Sequence, residues 1–462
     1  MIDDEVLQKL LKKALSRGGE YADVYIERRK TLSIQVEDDK IEKVIAGSSA
    51  GVGIRLIWGR KTAYAYSNDF DETVLGDLAR TVSQAARQAE RDVVINLAGG
   101  TPVKSFPVRV PPDNVAVPVK ISIVMEANRR ARAFDSLVRQ VSVVYRDSVQ
   151  DVKIATSEGS IVGDHRTYTT GIVHVIAIDG GVIQTGYESA GGHTGFELFE
   201  EFPFHEVAHR AAARAVMMLK ARRAPGGRMP VVISSEAGGT MIHEAIGHGL
   251  EADLAQQGLS IYSGKMGKPV ASPAITVIDD ATLPNKRGSY ACDDEGTPAG
   301  RTVLVRDGIL TGYLYDRYTA MVDGTRSTGN GRRESYAHKP IPRMTNTFIE
   351  PGKDSPGDVM RSTDRGLLVR KMGGGQVDTV SGDFVFEVQE GYLIENGEAG
   401  EPVRGATLIG NGPEILQSID MVGSDLGFSI GTCGKDSQGV PVSDAMPTLR
   451  IREIVVGGEV ER

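Results

Sequence analysis

Cysteine is nearly absent: Cys292 and Cys433 are the only two in 462 residues. Two thiols cannot staple a fold, so no disulfide framework is expected and packing must supply the stability. No run of 18 apolar residues occurs, so no transmembrane helix is expected. There is no basic excess either. The formal net charge is -8 and the pI about 5.6, which gives no footprint for nucleic acid. The opening stretch, "MIDDEVLQKLLKKALSRGG", is charged and has no apolar h-region, so it reads as a helix and not as a signal peptide. These absences lead to the expectation of a protein in a reducing cytoplasm, free of membrane.

What is present is ordinary globular composition, 40% hydrophobic and 25% charged, at a length that suggests two or three domains. The 55 glycines lie mainly between short β-like runs and imply many turns. Val6, Leu7, Leu10, Leu11 and Leu15 repeat at helical spacing. Alternation then predicts five short strands, "YADVYIERR", "LSIQVED", "KIEKVIAG", "GVGIRLIWG" and "KTAYAYS", with turns at "EDDK" and "WGRK". Helical period returns over 71–92, with Asp71 as N-cap. Pro102, Pro107, Pro111, Pro112 and Pro118 mark a linker over 96–118. A helix, long alternating runs and an amphipathic helix over 204–221 follow, and "RRAPGGRMP" marks a second boundary. The remainder is β-rich, including "RTVLVRDGILTGYLYD" and "FVFEVQEGYLIENGE". The expected fold class is α+β: N-terminal antiparallel sheet meanders flanked by helices, then a β-rich C-terminal catalytic domain. The expected domains are 1–95, 96–225 (forming one N-terminal half with the first) and 226–462.

Two stretches carry metal-site patterns. "HEVAH", His205 to His209, is a literal H-E-x-x-H. On a helix, Phe204, Val207, Ala208, Ala211, Ala215, Met218 and Leu219 form its apolar face, with both histidines at the edge and Glu206 on the polar side. Water reaches that edge, so a solvated helix face is the expectation. "MIHEAIGHGLEAD", 241–253, differs, because apolar residues surround His243, Glu244 and His248 on almost every side. Buried imidazoles and a carboxylate are costly unless hydrogen-bonded to one another or bound to metal. The spacing is five residues, which a regular helix separates by about 140°. A π-bulge, or an irregular backbone at Gly247, brings the two back into line, so a local distortion is expected.

A catalytic zinc takes three protein ligands and keeps one position open. Third-ligand candidates are Cys433, Cys292, His338 and the carboxylates Asp293, Asp294 and Glu295. Cys433 is slightly favoured, because Gly431 and Gly434 allow close approach and Lys435 would favour thiolate. Arg332, Arg333 and Tyr336 of "GNGRRESY" are candidate oxyanion donors, with a surface salt bridge the competing role for either arginine. His338 is a candidate for polarising the substrate carbonyl. "MGGGQVDTVSG", with Gly374, Gly375 and Gln376, reads either as a flat strand that adds an extended peptide or as a tight bend in a sheet.

Five ordered blocks, "HEAIGHGLEAD", "DDEGTPAGRTVLVRDGILTGYLYD", "GNGRRESYAHKPIPRMTNT", "GGGQVDTVSGDFVFEVQEGYLIENG" and "GTCGKDSQGVPV", resemble the TldD/PmbA family of metallopeptidases. The match is to the TldD side, which carries H-E-x-x-x-H; the PmbA side, also called TldE, lacks it. The resemblance implies one zinc per chain on His243, His248 and Cys433, with Glu244 as catalytic base. It also implies a dimer, with itself or with a PmbA/TldE-type subunit, and action on short or unfolded peptides. A non-catalytic scaffold with a structural metal, and a zinc amidase using the same residues, are the competing functions.

Overall fold

The five strands expected before residue 68 are three. A computed structural model describes residues 2–87, 91, 93–99 and 106–459. In it Tyr21–Glu37 and Lys40–Trp58 are continuous strands of 17 and 19 residues, followed by Lys61–Ser67. The polar run around Arg28 and Lys30 looks like a strand end but is only a change of surroundings. Residues 21–27 are buried, whereas 40–49 of the partner strand are exposed throughout. The "EDDK" turn holds, with Asp38 and Asp39 at φ 48 and 63, the left-handed pair of a type I′ hairpin.

The first helix is Asp4–Leu15 and the second Glu72–Gln84, where the Asp71 carboxylate accepts from the Thr73 backbone N–H at 2.8 Å. The helical stretch expected to reach 92 therefore ends earlier. Residues 88–90 and 92, and Pro102 of the expected linker, lie outside the described residues. Pro118, counted with that linker, sits instead in the first turn of the helix Val117–Arg132, where its missing N–H costs nothing.

Strands of 1–95 and 96–225 share one antiparallel sheet. Tyr21–Glu37 pairs with Val138–Thr156 from Asp23↔Thr156 to Glu37↔Ser142, and Ser160–Asp179 and Val182–His193 extend the sheet. Along its central strands the two faces differ by the period of two. Leu32, Ile34, Val141, Val143, Val173 and Val175 pack under the helices Val117–Arg132 and Phe204–Leu219. The opposite face carries Arg29, Thr31, Arg146, Ser148, Arg166 and Tyr168.

From Arg222 onward the described residues form an eight-stranded sheet, a six-stranded sheet and a two-stranded one. The run 301–316, expected within the β-rich remainder, forms strands over Arg301–Arg306 and Ile309–Leu310. Its end instead turns onto the 241–253 segment, where the Leu314 N–H donates to the Leu250 carbonyl. The hairpin Gly427–Lys435/Gln438–Met446 closes the six-stranded sheet, with Gly427–Lys435 as its terminal strand.

Candidate metal centre

Residues 240–256 change helix type three times. Thr240–Ile242 is α, His243–Gly247 is π, His248–Leu250 is 3-10, and Ala252–Gln256 is α again. The His248 N–H donates to the His243 carbonyl, the five-residue step of the π turn. The distortion expected from the spacing is therefore present, and it brings the two rings to a centroid distance of 4.9 Å, nearly perpendicular.

The role of the glycines differs from the expectation. Gly247 has φ -55 and ψ -57, ordinary helical values that any residue adopts. What forbids a side chain there is contact: a Cβ would lie 2.2 Å from Met344 Sδ, and one on Gly249 would lie 2.6 Å from the Tyr262 ring. Gly239 is under the same constraint from the backbone N of Ala445, at 2.2 Å. These glycines let the segment pack closely, and its Met241, Ile242, Ala245, Ile246 and Leu250 join the apolar core of the C-terminal part.

The hairpin brings Cys433 to the same place. One donor atom each from His243, His248 and Cys433 lie within 4.8 Å of one another, the only such cluster among the described residues. Cys433 Sγ is 3.5 Å from His248 Nε2. Both Nδ1 atoms are already engaged, His243 with Asp444 at 2.7 Å and His248 with Glu251 at 3.0 Å. That leaves the Nε2 atoms facing the sulfur, the arrangement of carboxylate–histidine–metal triads.

Charge follows the geometry. Burial works against ionising Cys433, but the two imidazoles hold its thiol down to about 5. Burial likewise opposes charge on His248, yet Glu251 and Cys433 raise it to about 10. Asp444 and Cys433 outweigh burial at His243 and hold it well above the ordinary imidazole range. A thiolate thus sits between two rings that attract protons, where one divalent cation satisfies all three donors. Glu244 lies beside them, its carboxyl raised chiefly by burial. Lys435 does not activate the thiol as expected. Its Nζ is 3.1 Å from Glu251 and 2.6 Å from Asp253, so it buttresses the carboxylate behind His248. With His248, it holds Glu251 down to about 2 against the effect of burial.

The other candidates are spent elsewhere. Cys292 is fully buried among Tyr25, Val152, Ile154 and Val162, and burial pushes its thiol up. Asp294 pairs with Arg166 at 2.7 Å and Glu295 with Arg55 at 2.7 Å, while Asp293 accepts backbone N–H groups. Arg332 and Arg333 are both buried, so neither forms a surface salt bridge. Arg332 donates to the carbonyls of Met344 and Pro441, and Arg333 to Tyr64 Oη and the Asp294 carbonyl. The Tyr336 N–H donates to Glu27, and Tyr64 donates to the Tyr336 carbonyl. His338 bonds Ser335 at 3.0 Å. None of these four bonds to His243, Glu244, His248 or Cys433 among the described residues.

Gly374, Gly375 and Gln376 lie in the strand Arg365–Val377, which touches the His243–Gly247 turn. Its pairing with Asp383–Glu395 shifts register between Met372 and Gly375, and its parallel pairing with Gly227–Ile233 ends at Val369. One edge of 371–377 is therefore unpaired among the described residues. His205 and His209 stay on the edge of their helix, His205 half-exposed beside Glu206 and His209 against Phe134.

Family models for the PmbA/TldA metallopeptidase domain 1, central domain and C-terminal domain match residues 22–89, 110–219 and 226–458. The chain belongs to the TldD/PmbA family of metallopeptidases. It is 38% identical to a metalloprotease TldD homolog of Haemophilus influenzae, over 96% of this chain and 94% of that protein. It is 28% identical to a zinc metalloprotease TldD homolog of Saccharolobus solfataricus, over 98% of this chain and 100% of that one. Among solved structures, TldE from Thermococcus kodakarensis superposes with a TM-score of 0.78 at 19% identity, covering 98% of this chain and 99% of that one. That likeness extends the fold to the TldE side of the family.

Asp444 and Glu251, which orient the two rings, were not anticipated. Glu251 had a signal, an acid three residues after His248 on the same turn. Asp444 had none, since it is 201 residues from His243.

Proposed function

We propose that this chain is a cytoplasmic zinc peptidase that hydrolyses short or unfolded peptides, with Glu244 as general base. The observation that carries the reading is the convergence of His243, His248 and Cys433, with both Nδ1 atoms held by carboxylates and Glu244 beside them. These three residues would hold one zinc ion per chain, which supplies Lewis acidity for the scissile carbonyl and acidifies water. Glu244 takes the proton of the attacking water and passes it to the leaving amine. Burial suits it to the first task, because a carboxylate whose pKa is raised is a stronger base for the proton of water. The unpaired edge of 371–377, around Gly374, Gly375 and Gln376, accepts an extended backbone without reading its side chains.

Peptides as substrates and a dimer, with itself or with a PmbA/TldE-type subunit, come from the family. A cytoplasmic location is supported by two unpaired, buried thiols. Among the described residues, no helix is long and apolar enough to cross a membrane.

The test is Glu244→Gln. The amide keeps shape and volume, so zinc content by elemental analysis should stay near one per chain. Cleavage of an unstructured peptide should fall by ~10²–10⁴-fold. A zinc-loaded Glu244→Gln protein that cleaves at the parent rate would remove Glu244 as the base, and a zinc-loaded parent protein that cleaves no peptide would leave the scaffold reading ahead.

A further inference from the structure

The strand that supplies Cys433 has a second face. Cys433 points to the histidines, while Ile430 and Thr432 point the other way, into a cavity of about 380 Å³. The far wall is the polar face of the first sheet, with Arg146 and Tyr168 among its residues, and Arg287 lies between the two walls. A second hollow continues from it past Arg332 and shares Arg287, Tyr168 and Thr432 with the first. Cluster and cavity thus flank one strand, and that strand is the terminal one of its sheet.

Positive charge here is not balanced. Asp147 lines the cavity but is bonded to Lys120 at 2.6 Å and Tyr145 at 2.6 Å. Arg29 is paired with Glu27 at 2.9 Å, and Arg166 with Asp164 and Asp294. Arg287 has no carboxylate partner among the described residues: it donates to the Gly431 carbonyl at 3.1 Å and to Thr432 Oγ1 at 3.3 Å. Arg332 donates only to carbonyls, and Arg146 has no ion pair among the described residues. Burial, and then the charges of Arg146 and Arg332, depress the Arg287 guanidinium, the mark of a cation held without its counter-charge. A sheltered guanidinium with two others beside it is costly unless an anion enters.

We propose that this cavity is a carboxylate subsite, in which Arg146, Arg287 and Arg332 receive the C-terminal carboxylate or an acidic side chain of a bound peptide. The proposal rests on the peptidase reading for the identity of the ligand. Guanidinium forks suit a carboxylate in paired, charge-assisted hydrogen bonds. The hydroxyls of Tyr168 and Thr432 supply further donors. A peptide that passes the terminal strand can present its backbone on the cluster side and its charge on this side.

The experiment measures binding, so that it does not depend on turnover. Fluorescently labelled versions of one unstructured peptide would be compared by anisotropy on the Glu244→Gln protein. One has a free C-terminus and no acidic side chains, one a free C-terminus plus glutamates, one a C-terminal amide plus glutamates, and one is amidated with no acids. At least one carboxylate-bearing version should bind about tenfold tighter than the amidated neutral one. A dependence on the C-terminus alone, or on glutamate alone, tells which carboxylate is received. Arg146→Gln, which removes an exposed residue with no ion pair, should erase most of that preference and leave the neutral peptide unchanged. Arg287→Lys keeps the charge but loses the fork and should erase it in part. Equal affinities for all four peptides, failure of every peptide to bind, or a preference that survives Arg146→Gln combined with Arg287→Lys, would overturn the subsite. Carboxylate preference in a parent protein that cleaves nothing would keep the subsite and remove the peptidase.

Discussion

At the residue scale, each histidine of the centre is held by a carboxylate behind its ring. Asp444 fixes the His243 ring at 2.7 Å, and Glu251 fixes His248 at 3.0 Å. Each holds the proton on Nδ1 and leaves Nε2 to donate its lone pair. Asp444→Asn keeps the size but loses the charge, so the ring is oriented less firmly and is less basic. Zinc affinity should fall ~10–100-fold, as read by competition against a chromogenic chelator. An unchanged affinity would mean that His243 is positioned by its packing alone.

At the element scale, the question is why five residues rather than four separate the histidines. The π turn over His243–Gly247 exists because its neighbours fit no other course. Gly239 and Gly247 lie against Ala445 and Met344, and the Tyr262 hydroxyl donates to the Ala245 carbonyl at 2.9 Å. Gly247→Ala places a methyl carbon where Met344 Sδ stands, at 2.2 Å. We expect a loss of ~1–3 kcal/mol in urea unfolding, the usual cost of overpacking. Met344→Ala in the same chain should restore part of it, because the obstructing atoms are side chain and not backbone. A Gly247→Ala protein of parental stability would show that the turn is held elsewhere.

At the scale of the whole molecule, the first sheet and the C-terminal part are joined by buried charge. Arg55 pairs with Asp23 in its own sheet and reaches Glu295 at 2.7 Å in the other part, all three essentially without solvent. Arg55→Met removes the cation and strands two carboxylates, which typically costs ~3–5 kcal/mol. Thermal unfolding should show it as a large drop in Tm, whereas a small one would mean that Arg317 and Arg333 take over.

The same junction carries a pH dependence. His193 Nδ1 bonds the Ser289 carbonyl at 3.0 Å, between Phe106 and Tyr168. Burial pulls its pKa from the ordinary 6.5 down to about 4, so the folded protein keeps it neutral. The unfolded chain takes the proton first. Stability is therefore complete above about pH 6.5 and falls as the pH drops toward 4. His193→Gln, which does not titrate, should flatten the urea midpoint between pH 7 and pH 4. A slope equal to the parent's would place the acid sensitivity in other groups.

Much was legible in the sequence alone. The period of two marked the long strands, the helical period marked the helices, and five ordered blocks carried the resemblance to the family. The five-residue step between His243 and His248 announced the distortion, because helix geometry makes that spacing incompatible with a shared ion otherwise. Strand ends were less legible: Tyr21–Glu37 continues through charged residues because pairing, not hydrophobicity, holds it there. Only the tertiary structure could bring Asp444 under His243, turn Lys435 away from the thiol, and set Arg287 beside Arg146 and Arg332 across the strand from His243 and His248. Local periodicity records which way a side chain points relative to its neighbours in the chain. What it faces is decided by segments as far as 309 residues away, and no local pattern encodes that meeting.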